Sequence, residues 1–258
     1  MTFTLENISM NYSPVREEGV LFKNMKIDFS TSSIVTLVGP NGSGKSSLLK
    51  IMAGLIKPLT GNIVINGKNI PDYSHKERAE LIAYLPQTTP LYYNLTVKEL
   101  VQLGKSRKIF TFDSDSRISD ELVMHSLERV NMQLFANRKI FSLSGGELQR
   151  VLIARVLMGN AQIVLLDEIT TSLDIEHVLQ IMDIIKELAS EGKLVIFSMH
   201  DFHFASEYSE FTLLLGYHNE NKYFYDKSTQ VLIPSILEKT FNVKIELTKE
   251  SYRFRRHN

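Results

Sequence analysis

One octapeptide limits the folds open to this chain: Gly39-Pro40-Asn41-Gly42-Ser43-Gly44-Lys45-Ser46. It fits the pattern G-x-x-x-x-G-K-[ST], a phosphate-cradling loop. The apolar run Ile34-Val35-Thr36-Leu37-Val38 precedes it and reads as a buried strand, and Ser46 to Ala53 reads as the start of a helix. The motif requires that strand–loop–helix context. Its glycines let the backbone turn sharply and approach an anion without a Cβ in the way. The N–H groups at the helix start then point at the phosphate, and the helix dipole favours negative charge there. Lys45 is expected to add a point charge at the β- and γ-phosphates, and Ser46 to offer its hydroxyl to Mg²⁺. Pro40, Asn41, Ser43 and Ser47 complete the expected nucleotide-binding loop.

Composition narrows the partners. Lys+Arg and Asp+Glu both number 29, so the formal net charge is zero. Nucleic-acid binding, which calls for a basic face, is therefore not expected. Apolar residues make up 43% of 258, enough for a substantial core. Cysteine is absent, which excludes disulfides, thiolate zinc sites and a catalytic thiol. No run of 18 apolar residues occurs, so no segment is expected to span a membrane. The first residues, Met1 to Glu6, do not read as a secretory signal. If the protein works at a membrane, a partner must hold it there.

Taken in order, Thr2 to Met10 and Met25 to Phe29 read as strands, with an exposed loop at Ser13 to Gly19. Asn62 to Ile65 is a further short strand, and Leu81 to Leu85 another, ending at Pro86-Gln87. Helical periodicity follows. Thr96-Val97-Lys98-Glu99 is a capping box that opens a helix to about Gly104. Lys105 to Ser119 reads as a surface loop, and Asp120 to Val130 and Ser144 to Met158 read as two more helices. Ile163 to Leu166 and Leu194 to Phe197 are near-continuous apolar runs, the pattern of parallel strands covered on both faces. Between them Ile175 to Ser190 is apolar at helical spacing, with Gly192 as its stop. The tail from Phe211 holds strand-like pieces and a helix near Ser235 to Phe241, and the basic run at Arg253 to Arg256 reads as solvated. The expected class is α/β: a core with a mostly parallel sheet, an N-terminal antiparallel β subdomain, and an inserted α-helical subdomain over about 88–158.

Four apolar runs each end in a distinctive polar group: the phosphate loop, Gln87, Asp167-Glu168, and Ser198-Met199-His200. In open α/β sheets ligands sit at the carboxyl ends of the strands, so all four can face one nucleotide. Asp167 suits a direct or water-bridged partner of Mg²⁺. Glu168 suits a base or an orienting group for an attacking water. His200 suits the γ-phosphate or that water. Leu143-Ser144-Gly145-Gly146-Glu147 adds a second anion site, because Ser144 and Glu147 form a capping box at a helix start. Two glycines in a first helical turn cost stability, which points to something large and anionic against them.

With these motifs in place the sequence resembles the ATP-binding-cassette ATPases, from Tyr12 to His200. Gly39 to Ser46 looks like Walker A, and Ile163 to Glu168 like Walker B with its catalytic glutamate. Gln87 matches the Q-loop, Leu143 to Glu147 the family signature, Ser172-Leu173-Asp174 the D-loop, and His200 the switch histidine. Tyr12 falls where the family stacks an aromatic ring on adenine. Three departures stand out: Glu147 where Gln is commonest, Ile169 where Pro is usual, and a slightly altered D-loop from Thr171.

The resemblance implies a P-loop NTPase core, one ABC ATPase domain over residues 1–258 with 211–258 extending the core, and ATP with Mg²⁺ as cofactors. It implies Glu168, His200 and Lys45 as catalytic residues, and Ser46, Gln87 and Asp167 at the metal. It further implies a homodimer sandwiching two ATP molecules, integral membrane permease subunits, an external substrate-binding protein, and a peripheral place on the cytoplasmic face of the inner membrane. The stretches 84–87 and 94–104, and the tail from Ser235 to Val243, look like the cassettes of iron–siderophore, haem and cobalamin importers. Uptake of a metal chelate is therefore expected. The alternatives are another small-molecule importer, a split exporter, or a soluble non-transport cassette protein. A single P-loop and signature disfavour a translation factor of this family, and the absence of sustained heptads disfavours a DNA-repair cassette.

Overall fold

In the computed structural model, which describes residues 1–11, 19–104, 116–170, 173–247 and 252–255, two sheets share one buried layer. The first strands are β1 (Phe3–Asn11) and β2 (Val20–Phe29), followed by β3 (Ile34–Val38) and helix α1 (Lys45–Met52). Then come β4 (Thr60–Ile65), β5 (Lys68–Asn69), α2 (His75–Leu81) and β6 (Ile82–Leu85). The antiparallel sheet has the order β2-β1-β4-β5. Its sequence dictates its sidedness: in β2, Met25, Ile27 and Phe29 are buried while Lys26 and Asp28 between them are exposed. That period of two turns one face to the core and leaves the other wet.

Helices α3 (Val97–Gln102), α4 (Ser116–Glu128) and α5 (Gly145–Gly159) lie between β6 and β7 (Ile163–Leu166). After β7 come α6 (Ile175–Ser190), β8 (Leu194–Ser198), α7 (Phe202–Tyr208), β9 (Phe211–Leu215) and β10 (Tyr223–Lys227). The chain ends with α8 (Ser228–Val231), α9 (Pro234–Phe241) and the hairpin β11 (Lys244–Leu247) and β12 (Tyr252–Arg255). The second sheet has the order β10-β9-β3-β8-β7-β6. β9, β3, β8, β7 and β6 run parallel, and β10 pairs antiparallel to β9 at the edge.

Every residue of β3, β7 and β8 is buried. Successive residues belong to different cores. Ile163 and Leu165 pack with α1 and the antiparallel sheet, while Val164 and Leu166 pack with α5 and α6. A continuous apolar run is therefore required here, where an alternating one would bury polar side chains on one face. A third core joins Val38 and Leu214 to Phe202, Val231, Leu237 and Ile245, which seats the tail against the sheet.

Three expectations are corrected. Residues 116–119 belong to α4, so that helix starts before Asp120; residues 105–115 of the expected loop lie outside the described residues. Leu81 closes α2 and does not open β6. Helices α2, α7 and α8 were not expected. The first two carry start signals, the Ser74–Glu77 capping box and Asp201, which accepts from the N–H groups of His203 and Phe204. α2 buries none of its residues, so it has no apolar stripe to announce it. Among the described residues no helix is long and apolar enough to cross a membrane.

Candidate functional site

β3 ends at Val38, and the chain wraps from Gly39 to Gly44 before α1 begins at Lys45. At Gly39 a Cβ would stand 2.7 Å from Ser43 Oγ and 2.8 Å from the Leu215 carbonyl oxygen, so only glycine fits the close approach. Gly44 precedes α1 in the left-handed region with φ near 99°, which leaves the first N–H groups of α1 facing outward without a side-chain cap. The Lys45 side chain folds back over the loop. Its Nζ donates to the Gly39 carbonyl at 2.9 Å and to that of Pro40 at 3.3 Å. Burial holds its ammonium below the usual lysine value, with the charges of Glu168 and Asp167 opposing that shift. Ser43 Oγ is buried with no hydrogen-bond partner among the described residues.

Sheet register brings the other polar groups to the same edge. Leu37 pairs with Ser198, Leu166 with Phe197, and Leu85 with Leu166. The residues that follow these strands must therefore emerge together. They enclose a cleft of about 540 Å³ lined by Asn41, Gly42, Gly44, Lys45, Ser46, Ser47, Gln87, Glu168 and His200. Glu168 sits at its centre: Gln87 Nε2 donates to Oε2 at 2.5 Å, and His200 Nε2 lies 2.9 Å from Oε1. The Glu168 backbone has φ near 49°, left-handed for a residue that is not glycine. Asp167 lies deeper, 2% exposed, and accepts from Ser198 Oγ at 2.7 Å. Beside it, the buried Tyr84 hydroxyl has its pKa pushed up, first by burial and then by the charge of Asp167.

Pro40 and Ser43 line a neighbouring cavity of about 690 Å³, closed on its other side by Val20, Leu21 and the β9–β10 turn. Asn41 and Gly42 border both spaces. Ser144 and Glu147 are placed elsewhere. The Ser144 side chain accepts from the Glu147 N–H at 3.2 Å, and the Glu147 carboxylate accepts from the Ser144 N–H at 2.7 Å. This is the expected capping box, and Glu serves in it as Gln would. That exchange holds the Glu147 carboxyl below its usual range. No residue of 144–147 lines the phosphate cleft. A Cβ on Gly145 would meet nothing within 4 Å, so this helix start opens outward. Asp174 caps α6 by accepting from the His177 N–H at 3.0 Å. Tyr12, Thr171 and Ser172 lie outside the described residues. Tyr84 and the hydrogen bonds of Ser198 were not anticipated; Ser198 was visible only as a polar residue ending an apolar run.

Residues 22–171 match the family model described as ABC transporter. The chain is 36% identical over 231 residues to the petrobactin import ATP-binding protein FpuC of Bacillus anthracis, covering 89% of this chain and 84% of that protein. It is 33% identical over 253 residues to the iron(3+)-hydroxamate import ATP-binding protein FhuC of Bacillus subtilis, covering 96% and 91%. Among solved structures it is similar to a dimeric ATP-binding cassette in a post-hydrolysis state bound to ADP and Pi. That likeness has a TM-score of 0.76 at 30% identity and covers 88% of this chain and 98% of that one. A chain from a transporter assigned to the metal-chelate ABC type, in an inward-facing conformation, matches with TM-score 0.79 at 26% identity, covering 98% and 96%.

Proposed function

This chain belongs to the ABC transporter family, and from that premise we propose that it is the ATP-hydrolysing subunit of an importer that takes up an iron–siderophore or related metal chelate. The observation that carries the reading is one cleft holding Lys45, Gln87, Glu168 and His200, with the Ser144–Glu147 helix start turned away from it. Lys45 and the loop amides bind the β- and γ-phosphates, the Ser43 hydroxyl, without a partner among the described residues, gains an acceptor there, and the neighbouring cavity beside Val20 takes the nucleoside end; Tyr12, outside the described residues, stacks on adenine. The Glu168 carboxylate orients the attacking water and takes its proton, while His200 Nε2 steadies that carboxylate and reaches the γ-phosphate.

The donors suit a hard divalent cation: the Ser46 hydroxyl, the Gln87 amide oxygen and the Asp167 carboxylate, with phosphates completing the set. Among the described residues no three acidic, His or Cys side chains cluster into a metal cage. Ser46, Gln87 and Asp167 would hold Mg²⁺, which would supply positive charge against the charge of the transferring phosphate.

Two copies pair head to tail, so that Ser144, Gly145 and Gly146 of one cover the nucleotide of the other. Residues 1–258 act as one domain, in which the helical block over 88–158 and Gln87 carry closure to separate permease subunits. The complex works with an external binding protein, and this subunit sits on the cytoplasmic face of the membrane. Nucleic acid has no place in the reading. Support for the cargo comes from the names of the relatives, which import petrobactin and iron(3+)-hydroxamate. A deletion strain given labelled ferric siderophore, haem and cobalamin in turn is expected to lose uptake of one of them. Undiminished uptake of all three, with no redundant system, would reject the chelate reading and leave the ATPase reading standing.

Lys45→Ala tests the phosphate contact. Hydrogen bonds to a charged group contribute about 1.5–3 kcal/mol, so ATP affinity is expected to fall by about 10- to 100-fold. Equilibrium titration with a fluorescent nucleotide measures it, and an unchanged Kd would remove Lys45 from the site.

A further inference from the structure

Ser198 ends β8 two residues before His200 and is 1% exposed. Its hydroxyl donates to Asp167 Oδ1 at 2.7 Å and accepts from the Glu168 backbone N–H at 2.8 Å. One buried oxygen thus joins the side chain of one acidic residue to the backbone of the next. That backbone needs holding. Glu168 has φ near 49°, a conformation that non-glycine residues seldom adopt and that persists only where its surroundings over-determine it. A proline at 169 would restrict the residue before it to extended conformations. Ile169 imposes no such restriction, and it is fully buried in the core that includes Leu166 and Phe197. Burial of Ile169 anchors the chain after Glu168; the Ser198 hydroxyl anchors it at Glu168 itself.

We propose that Ser198 is a positioning residue for hydrolysis: its hydroxyl fixes the left-handed Glu168 backbone and aims the Asp167 carboxylate, so that both acids face one nucleotide. It touches neither the phosphates nor the water. Without the hydroxyl, the part-buried Glu168 N–H and the buried Asp167 Oδ1 lose a shared partner. Glu168 then samples other backbone conformations, and its carboxylate leaves the point between Gln87 and His200. The proposal rests on the reading of the chain as an ATPase.

The test uses the full chain with Ser198→Ala and Ser198→Cys. Cysteine fills the space but hydrogen-bonds weakly, so it guards against a variant that fails only by leaving a void. In both variants kcat is expected to fall by about 10- to 100-fold, the usual cost of losing a group that orients a functional residue. ATP affinity, measured at equilibrium without turnover, is expected to stay within about threefold, because no phosphate contact is removed. In a Glu168→Gln background the Ser198→Ala change is expected to lower the residual rate by less than it lowers the wild-type rate, since the part that acts through Glu168 is already lost. Wild-type kcat in a folded variant, a parallel loss of ATP affinity, or full additivity with Glu168→Gln would each overturn the proposal. A folded wild-type chain that turns over no ATP would instead overturn the ATPase reading.

Discussion

Glu168→Gln is expected to lower steady-state ATP hydrolysis by about 100- to 10,000-fold, the range that a positioned general base contributes. The substitution is nearly isosteric, so the loop should keep its shape. The amide oxygen can still accept from Gln87 Nε2, which lies 2.5 Å from Oε2, and the backbone N–H keeps its bond to Ser198. What is lost is the proton acceptor. Lys45, whose pKa the Glu168 charge helps to raise, keeps its contacts to the Gly39 and Pro40 carbonyls, so ATP affinity should change little. Binding without hydrolysis should trap the paired state. The variant is therefore expected to run as a dimer with ATP and as a monomer without it. Phosphate release and sedimentation velocity measure the two effects, and wild-type turnover in a verified preparation would take the base role away from Glu168.

The phosphate loop and the strands behind it were legible because each signal is local. A short apolar run such as Ile34 to Val38, ended by a phosphate loop, reads as a covered strand; the structure adds why glycine stands at 39, where a Cβ would lie 2.8 Å from the Leu215 carbonyl oxygen of β9. That the tips of β3, β6, β7 and β8 share an edge followed from their polar endings, and the register bears it out. Sequence was weaker where structure depends on groups far apart in the chain. Ser198 and Glu168 are 30 residues apart, and nothing local tells that a serine hydroxyl will hold a left-handed glutamate. The departure at Ile169, where proline is usual in the family, illustrates the same limit. The isoleucine is completely buried, so packing supplies an anchor that proline would have supplied by ring closure. α2 escaped notice for the opposite reason: with none of its residues buried, only its capping box marks it.

Ser144→Arg separates the proposed shared site from a site complete in one chain. Ser144 and Gly145 are exposed, and neither they nor Glu147 line the phosphate cleft. A long cation at position 144 therefore cannot reach the chain's own nucleotide pocket by replacing one of its walls, and ATP affinity of the monomer should stay within about threefold of wild type. In the pair, the same helix start would lie against the other copy's triphosphate, where its N–H groups and dipole stabilise negative charge. The arginine side chain fills that space. It also removes the Ser144 cap, which costs the helix about 1 kcal/mol. Ser144→Ala removes the cap without the bulk, so it isolates that term and should still pair. Turnover in Ser144→Arg is expected to fall on the order of 100-fold or more, comparable to the loss of a transition-state donor. Combined with Glu168→Gln, it should abolish the ATP-dependent dimer. Equal losses of monomer ATP affinity in Ser144→Arg and Lys45→Ala would show instead that residue 144 serves the pocket of its own chain, and head-to-tail pairing would have to be given up.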